Sequence, residues 1–504
     1  MVDTAQCRHC AVPFVERYGV SDDDRLLIPG QTCWRVTRAD QLACVIDAAA
    51  YFKHVKAAML RAQHRIVIIG WDLDARMAFE RGAKTLRGPN QLGTFLYWML
   101  WKRPGLEIYV LKSNLRLLPV FDDIWYGITP VALLNQISNK RLHLAVDGDH
   151  PTGAVHHQKI VVIDDAVAFC GGLDLTVGRW DTRAHQHNSR SRRALGRGYG
   201  PRHEVSVAVD GPAARALGEQ ALARWQSAKG QSLVPVEAKH TAWPKNLEPI
   251  LRNVDVGIAR TLPELDGRTE VREVEALNLA AIASARKTIY LENQYLAARR
   301  IVEALAARLK EDDGPEVIIV LPRRGNNPLE RGTMDSARHL MLQLLWAADD
   351  HRRLGVYWPV TDGGAPIYVH SKVMVIDDWL LRIGSSNLNN RSLGFDSECD
   401  VAIEASDNPE HDEIRQQVIS VRHELLAEHL GVSVGDFESA LGQSGSVLKA
   451  IEALRGEGKT LRPLTEQTVS GEAGRLAEND LMDPDHVPRS LTRSVQRFLT
   501  GLAR

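Results

Sequence analysis

The pattern of apolar positions follows the same plan in two parts of the chain. A helical spacing from about residue 41 to 63 leads into an apolar run at 65–71, and a helical spacing over 271–285 leads into a run at 288–295. Such short runs, rich in Ile and aromatic residues, are typical of buried strands. Both parts therefore predict a helix followed by a strand, which indicates an internal repeat.

Later apolar runs extend this plan in each part. Residues 106–111 and 317–321 both follow a turn-forming Gly and Pro, and helical segments separate them from the next strands. Alternating strands and helices predict an α/β fold. We expect two similar α/β sandwich halves, each with a mixed, mostly parallel sheet flanked by helices, related by a pseudo-two-fold axis.

The length of 504 residues exceeds what one ordinary hydrophobic core accommodates. A proline-containing stretch with few periodic apolar residues lies between the repeats and predicts a surface linker. Near the end of the chain, residues 491–502 have the spacing of an amphipathic helix with arginines around it. The predicted regions are an N-terminal extension (1–33), a first half (34–230), a linker (231–260), a second half (261–432) and a partly helical C-terminal extension (433–504).

Composition narrows the class of protein. The chain is 44% hydrophobic and 25% charged, as in a folded protein, and its net charge of −1 gives no overall attraction to nucleic acid or an anionic membrane. Six scattered cysteines suit a reducing compartment, and the Cys7/Cys10 pair has no second pair to complete a zinc site. Because neither a signal peptide nor an apolar run of ~20 residues occurs, we expect a cytoplasmic protein, or one exported without a signal peptide, that contacts membranes peripherally.

A His-x-Lys-x4-Asp motif occurs once in each half. The first consists of His157, Lys159 and Asp164, and the second of His370, Lys372 and Asp377. In a strand, residues two apart point to the same face, so each motif presents an imidazole beside an ammonium group. Each Asp lies an odd number of residues from its His, and we expect it to point away and to brace the motif.

Two histidines and two lysines that meet at a two-fold interface suit phosphodiester cleavage. The lysines neutralise the phosphoryl oxygens, while one histidine attacks phosphorus and the other protonates the leaving oxygen. This arrangement requires no metal and no cofactor.

The doubled motif resembles the phospholipase D superfamily over roughly residues 34–430. The likeness is greatest to true phospholipases D, and the turn at 387–392 is also similar to cardiolipin synthases. The segments that carry the resemblance are 155–159, 171–175, 178–182 and 211–214 in the first half and 292–295, 384–387, 391–392 and 396–398 in the second.

The resemblance implies a role for each site residue. His157 would be the nucleophile, and His370 would protonate the leaving alcohol and then activate water or an acceptor alcohol. Glu204 is expected to orient His157, and Glu398 to orient His370. The residues expected at the substrate are Lys159, Lys372, Asn387, Ser385, Asp174 and Trp180, of which Asp174 is better suited to holding a loop or a lysine.

A basic loop follows the first motif. Residues 179–202 contain seven arginines, interleaved with glycines and histidines. One interpretation is a solvated flexible loop, and the other is a basic lid that meets lipid phosphates at the mouth of the site.

Three functions remain open. The first is a phospholipase D that hydrolyses phosphatidylcholine or phosphatidylethanolamine through a phosphohistidine and also transfers the phosphatidyl group to alcohols. The second is a cardiolipin-synthase-like phosphatidyltransferase, and the third is a nucleic-acid phosphodiesterase, which the neutral net charge disfavours. The expected partner is a phospholipid at a membrane surface, with no nucleic acid, and the sequence indicates no obligate protein partner.

Overall fold

A computed structural model describes residues 25–114, 124–125, 129–130, 139–265, 267–326, 330–406, 408–469 and 483–486. Its strands are β1 (Arg35–Ile46), β2 (Arg65–Gly70), β3 (Glu107–Ser113), β4 (Ile124–Trp125), β5 (Thr129–Pro130), β6 (Leu142–Asp147), β7 (Ile160–Ile163), β8 (Val167–Gly171), β9 (Arg193–Ala194), β10 (Arg197–Gly198), β11 (Arg202–His203), β12 (Val205–Asp210), β13 (Leu251–Leu262), β14 (Val271–Arg272), β15 (Thr288–Glu292), β16 (Glu316–Val320), β17 (Leu354–Val360), β18 (Tyr368–Val369), β19 (Val373–Ile376), β20 (Leu380–Gly384), β21 (Glu398–Glu404) and β22 (Thr460–Pro463). The α-helices are α1 (Ala48–Met59), α2 (Leu92–Lys102), α3 (Gly211–Lys229), α4 (Glu273–Ser284), α5 (Arg299–Leu309), α6 (Ser336–Ala348), α7 (Asp412–Leu430), α8 (Val434–Ser444) and α9 (Val447–Leu454). Short π-helical turns cover Arg331–Asp335 and Arg391–Phe395, and a 3-10 turn covers Pro409–His411.

One continuous sheet runs through both halves. Its order is β22-β17-β16-β15-β19-β20-β21-β13-β1-β12-β8-β7-β2-β3-β6, with β14 paired to β13. Apart from the extra edge strand β22, this order is the same in both directions from the central antiparallel pair of β1 and β13. The strand order therefore has the predicted pseudo-two-fold symmetry, and the two halves share one sheet.

The mixed α/β class is confirmed, but the expectation of mostly parallel strands is wrong. Within this sheet, the parallel pairs are β2–β3, β3–β6, β15–β16 and β16–β17, and the other adjacent pairs are antiparallel. Each motif strand enters a tight hairpin, β7–β8 or β19–β20, and a connection of three residues cannot make the crossover that a parallel pair requires.

Two segments differ from their predicted elements. Residues 41–46, predicted as helix, form the end of β1, and α1 begins only at Ala48. Residues 251–260, predicted as part of the linker, lie in β13 at the centre of the sheet. There Val254, Val256 and Ile258 are buried at a spacing of two, which is the spacing of a strand.

Helices cover both faces of the sheet. Alternate residues of β2 face different cores: Val67 and Ile69 pack in a core shared by the two halves, while Ile66 and Ile68 pack in a core of the first half. The shared core includes residues of α3 and α7, and a third core belongs to the second half. Burial on both faces explains why these strands read as continuous apolar runs.

Outside the repeated part, the structure describes α8, α9 and β22, so the predicted C-terminal extension is partly helical in its described residues. Cys7, Cys10 and the predicted helix at 491–502 lie outside the described residues. In the part of the chain that the structure describes, no helix is both long and apolar enough to cross a membrane.

Candidate active site

The two motifs meet where the halves join. The backbone N–H of His157 donates to the carbonyl of Ser397 (2.9 Å), and the N–H of His370 donates to the carbonyl of His203 (2.9 Å). Gly172 of the first half packs against the second motif, since a Cβ there would come within 3.1 Å of both the Lys372 side chain and the His370 carbonyl. Each motif is thus built against the backbone of the opposite half.

This cross-pairing sets which glutamate holds which histidine. His157 Nδ1 lies 3.0 Å from Glu398 Oε1, and His370 Nδ1 lies 2.8 Å from Glu204 Oε1. The prediction that Glu204 holds His157 and Glu398 holds His370 was wrong, because each glutamate follows the segment that pairs with the motif of the other half. With Nδ1 facing a carboxylate, Nε2 is the nitrogen left to react in both rings.

Two serine hydroxyls fix Glu398 behind His157. Ser392 donates to Glu398 Oε1 (2.6 Å), and Ser385 donates to Glu398 Oε2. Ser385 was predicted at the substrate, but it is fully buried and its hydroxyl is engaged by the glutamate. Ser392 has a role that the sequence did not assign, although its segment belonged to the resemblance.

Both motif lysines are buried and tied to their own strands. Lys159 Nζ donates to the His157 carbonyl (2.7 Å), and Lys372 Nζ donates to the His370 carbonyl and to Gln294 Oε1 (3.3 Å). Asp174 lies 3.6 Å from Lys159 and accepts a hydrogen bond from the backbone N–H of Trp71 (2.9 Å). Asp174 therefore holds a loop and a lysine, as its charge beside an anionic phosphate led us to expect.

Burial and positive neighbours determine the charge of the site. Burial, reinforced by Lys159 and Lys372, lowers the pKa of His157 well below its usual value. Burial, reinforced by Lys372 and Arg202, does the same to the pKa of His370. Both shifts favour the neutral imidazole in the free site, which leaves His157 a lone pair for nucleophilic attack.

The motif aspartates lie away from the reacting groups. Asp164 accepts three backbone hydrogen bonds from residues 63–65, and Asp377 accepts three from residues 286–288. Each carboxylate ties the end of a motif strand to the chain entering the neighbouring strand. These contacts agree with the predicted bracing role.

The remaining candidates have different surroundings. Asn387 is buried, and its Oδ1 has no hydrogen-bond partner among the described residues. The Trp71 ring lies 6.5 Å from the His157 ring, whereas Trp180 packs half-buried against the core of the first half. Trp71 is thus the tryptophan that the structure places beside His157, and the substrate-binding role of Trp180 stays a prediction.

The basic loop at 179–202 is firmly anchored at several points. His185, Arg192 and Arg202 are buried, which does not fit a wholly solvated loop. The Arg202 guanidinium lies 4.7 Å from the centre of the Tyr368 ring, and that ring stacks near His370. The residues that line the cleft at this point include Tyr199, Arg202, Arg323, Arg324, Arg331 and Tyr368.

A family model described as "Cardiolipin synthase, PLD-like domain" matches residues 279–421, which contain the second motif. Two such motifs meet where the halves of the symmetric sheet join. The chain resembles the phospholipase D superfamily in its motifs, its fold and its sequence.

Named relatives in the phospholipase D superfamily cover most of the chain. Phospholipase D alpha 4 of Arabidopsis thaliana is 24% identical over 84% of this chain and 68% of its own length. Phospholipase D2 of Bos taurus is 23% identical over 71% of this chain, which spans only 49% of the bovine protein. The crystal structure of phosphatidylserine synthase from Haemophilus influenzae has the same fold, with a TM-score of 0.56 and 14% identity over 93% of this chain and 96% of that one.

The crossed glutamates allow a paired test. We expect Glu398→Gln and Glu204→Gln each to lower kcat by about 10–100-fold, the usual effect of losing the partner that orients a reactive histidine. With a nitrophenyl phosphodiester lipid, Glu398→Gln should slow the first release of nitrophenol, and Glu204→Gln should slow only the turnovers that follow. The exposed Glu237→Gln is the control, and the reverse assignment of the two steps would contradict the pairing.

Lys372 should give the site a distinctive pH profile. Burial, opposed by Glu204, lowers the pKa of Lys372 to about 7. Because only the charged amine neutralises a phosphoryl oxygen, kcat/KM should fall as the pH rises through about 7. In Lys372→Arg the side chain keeps its charge at high pH. The fall of kcat/KM should therefore occur at a higher pH in this variant, even though its overall rate is lower. If kcat/KM fell at the same pH in this variant as in wild type, the titration would belong to another group.

Proposed function

We propose that the protein is a phospholipase D that hydrolyses phosphatidylcholine or phosphatidylethanolamine to phosphatidic acid and the free headgroup alcohol. The observation that carries the proposal is the pair of histidines, each held at Nδ1 by a buried glutamate of the opposite half, with two buried lysines beside them. The relatives named phospholipase D support the substrate class.

The chemistry divides into two displacements at phosphorus. In the first, His370 starts protonated, because the negative charge of the bound phosphodiester favours its charged form. His157 Nε2 attacks phosphorus, the bond from phosphorus to the headgroup oxygen breaks, and His370 gives that oxygen its proton. In the second, His370 takes a proton from water, the hydroxide displaces His157, and phosphatidic acid leaves. Lys159, Lys372 and Asn387 stabilise the charge on the non-bridging oxygens in both transition states.

Transfer to alcohols follows from the same intermediate. Once the headgroup has left, His370 can deprotonate an alcohol as readily as water, and the product is then a new phosphatidyl ester. The match to the cardiolipin synthase family model favours a second candidate on this ground, a phosphatidyltransferase that uses phosphatidylglycerol as the acceptor.

One set of incubations separates these functions. The protein is mixed with vesicles of phosphatidylcholine, with the same vesicles plus phosphatidylglycerol, and with single-stranded DNA, each beside a His157→Asn control. We expect choline and phosphatidic acid from the first mixture. Cardiolipin without phosphatidic acid from the second mixture would favour the transferase. Cleavage of DNA in the third mixture, without choline release in the first, would contradict the proposal.

The basic cleft is proposed to hold the membrane surface or the lipid phosphate near His370. An arginine at an anionic surface contributes about 1 kcal/mol, so Arg324→Ala and Arg331→Ala should each raise the apparent KM on vesicles about fivefold. The exposed Arg299, which pairs with Glu303 on α5, supplies the matched control. High salt should reduce the difference between variants and wild type, and equal KM values at low salt would argue against contact at this cleft.

A further inference from the structure

A second group of ionisable side chains lies behind the catalytic residues, and the mechanism does not use it. Asp47, His185, His203 and Glu428 come from four separate segments and converge in the interior. His185 and His203 are fully buried, and Asp47 is 1% exposed. Three of the four belong to the first half, while Glu428 is on α7 of the second.

The spacing of these side chains is that of ligands around one small ion. His185 Nε2 lies 3.3 Å from Asp47 Oδ2 and 3.3 Å from Glu428 Oε1. His203 Nδ1 also lies 3.3 Å from Glu428 Oε1. A tetrahedral zinc ion with bonds of about 2.0–2.1 Å requires neighbouring ligand atoms to be about 3.3 Å apart.

Each of the two histidine rings contacts a further carboxylate through its other nitrogen, which faces away from this cluster. His185 Nδ1 contacts Asp181 Oδ2 (3.1 Å), and His203 Nε2 contacts Glu292 Oε2 (3.1 Å). A carboxylate on the outer nitrogen fixes the tautomer whose lone pair points inward, as in most zinc sites with histidine ligands. Two lone pairs and two carboxylates therefore point at the same interior position.

Unpaired atoms point to the same position. Among the described residues, Asp47 Oδ2 and His203 Nδ1 are buried without a hydrogen-bond partner, a costly state unless a cation occupies the space between them. Asp47 Oδ1 accepts the backbone N–H of Glu204, and Arg183 pairs with Glu428 Oε2, so each carboxylate has one oxygen fixed by the protein and one directed inward.

We propose that Asp47, His185, His203 and Glu428 bind one structural Zn²⁺. Two imidazoles and two carboxylate oxygens match the preference of zinc for four mixed nitrogen and oxygen ligands, whereas calcium prefers oxygen ligands alone. The charges of Asp47 and Glu428 balance those of the ion. Glu428 also lines a surface cleft with Arg183 and Lys459, which gives the ion a route into the interior.

The site would connect the two halves beside the catalytic centre. His203 immediately precedes Glu204, the partner of His370, and its carbonyl accepts the N–H of His370. Glu292 extends the connection, because it also accepts the hydroxyl of Ser371 (2.6 Å) within the second motif. The ion would act by positioning this backbone and would not touch the substrate.

Zinc content tests the proposal directly. Full-length protein produced in zinc-supplemented medium should contain about one zinc per chain, and His185→Gln and Glu428→Gln should contain close to none. His423→Gln is the matched control, since His423 is buried on the same helix but pairs with Glu438, and it should keep its zinc. Wild-type protein without zinc would overturn the proposal.

Wild-type protein also supplies a measurement that does not depend on variant folding. Removal of zinc with a strong chelator should lower Tm by about 5 °C or more, and Zn²⁺ but not Mg²⁺ should restore it. The proposal would be wrong if Tm did not change after complete chelation and NMR showed both histidine rings doubly protonated. Protons rather than a metal would then balance the carboxylates. Metal content and Tm are read without lipid, so this result is independent of the phospholipase assay.

Discussion

His157→Asn should reduce phosphodiester turnover by at least about 10⁴-fold while leaving the fold intact. Asparagine resembles histidine in size but offers no nucleophilic nitrogen, and removal of a nucleophile from a site that acts as a unit costs about 10⁴–10⁶ in rate. The side chain of His157 contacts Glu398 and lies near Trp71, so its loss removes little packing. Initial rates with a phosphatidylcholine substrate and Tm measure the two effects separately.

His64→Asn is the control for this variant, because His64 is exposed. It should keep the wild-type rate. If His157→Asn retained turnover within tenfold of wild type, His157 could not be the nucleophile.

His370→Asn should stop the reaction after one chemical step. Loss of an acid and base catalyst costs about 10²–10⁴ in each proton transfer, and His370 serves in both displacements. A nitrophenol leaving group needs no proton from the enzyme, so its release should proceed once. Hydrolysis of the phosphatidyl–His157 intermediate, which does require His370 as a base, should then be slow. We expect a burst of about one nitrophenol per active site, followed by steady turnover at least about 10²-fold below wild type.

The size of the burst distinguishes this mechanism from direct attack by water. A single displacement has no covalent intermediate, so His370→Asn would then give a slow linear release with no burst. A burst of normal size in the His157→Asn variant would also contradict the assigned roles.

The repeat, the mixed α/β class and the two motifs could be predicted from the sequence because each depends on local patterns. Identical spacing from His157 to Gly171 and from His370 to Gly384 reflects identical hairpins. The bracing aspartates could be predicted for the same reason, since an odd spacing from the histidine places them off its face.

Contacts between the halves could not be predicted in this way. The sequence does not show that the segment before Glu398 pairs with the chain at His157, so the glutamates were assigned to the wrong histidines. Residues 251–260 of β13 were interpreted as linker because they adjoin a proline-containing stretch with few periodic apolar residues. The role of Ser385 depends on a hydroxyl that points toward Glu398, and sequence spacing gives no such direction.

The covalent step on His157 is the central claim, and the position of the label tests it most directly. Wild-type protein is mixed with a phospholipid that carries ³²P in its phosphodiester, quenched in alkali during turnover, and digested for peptide mapping. The label should lie on the peptide that contains His157. Label on the His370 peptide would reverse the two roles, and the absence of label from both peptides during turnover would contradict covalent catalysis.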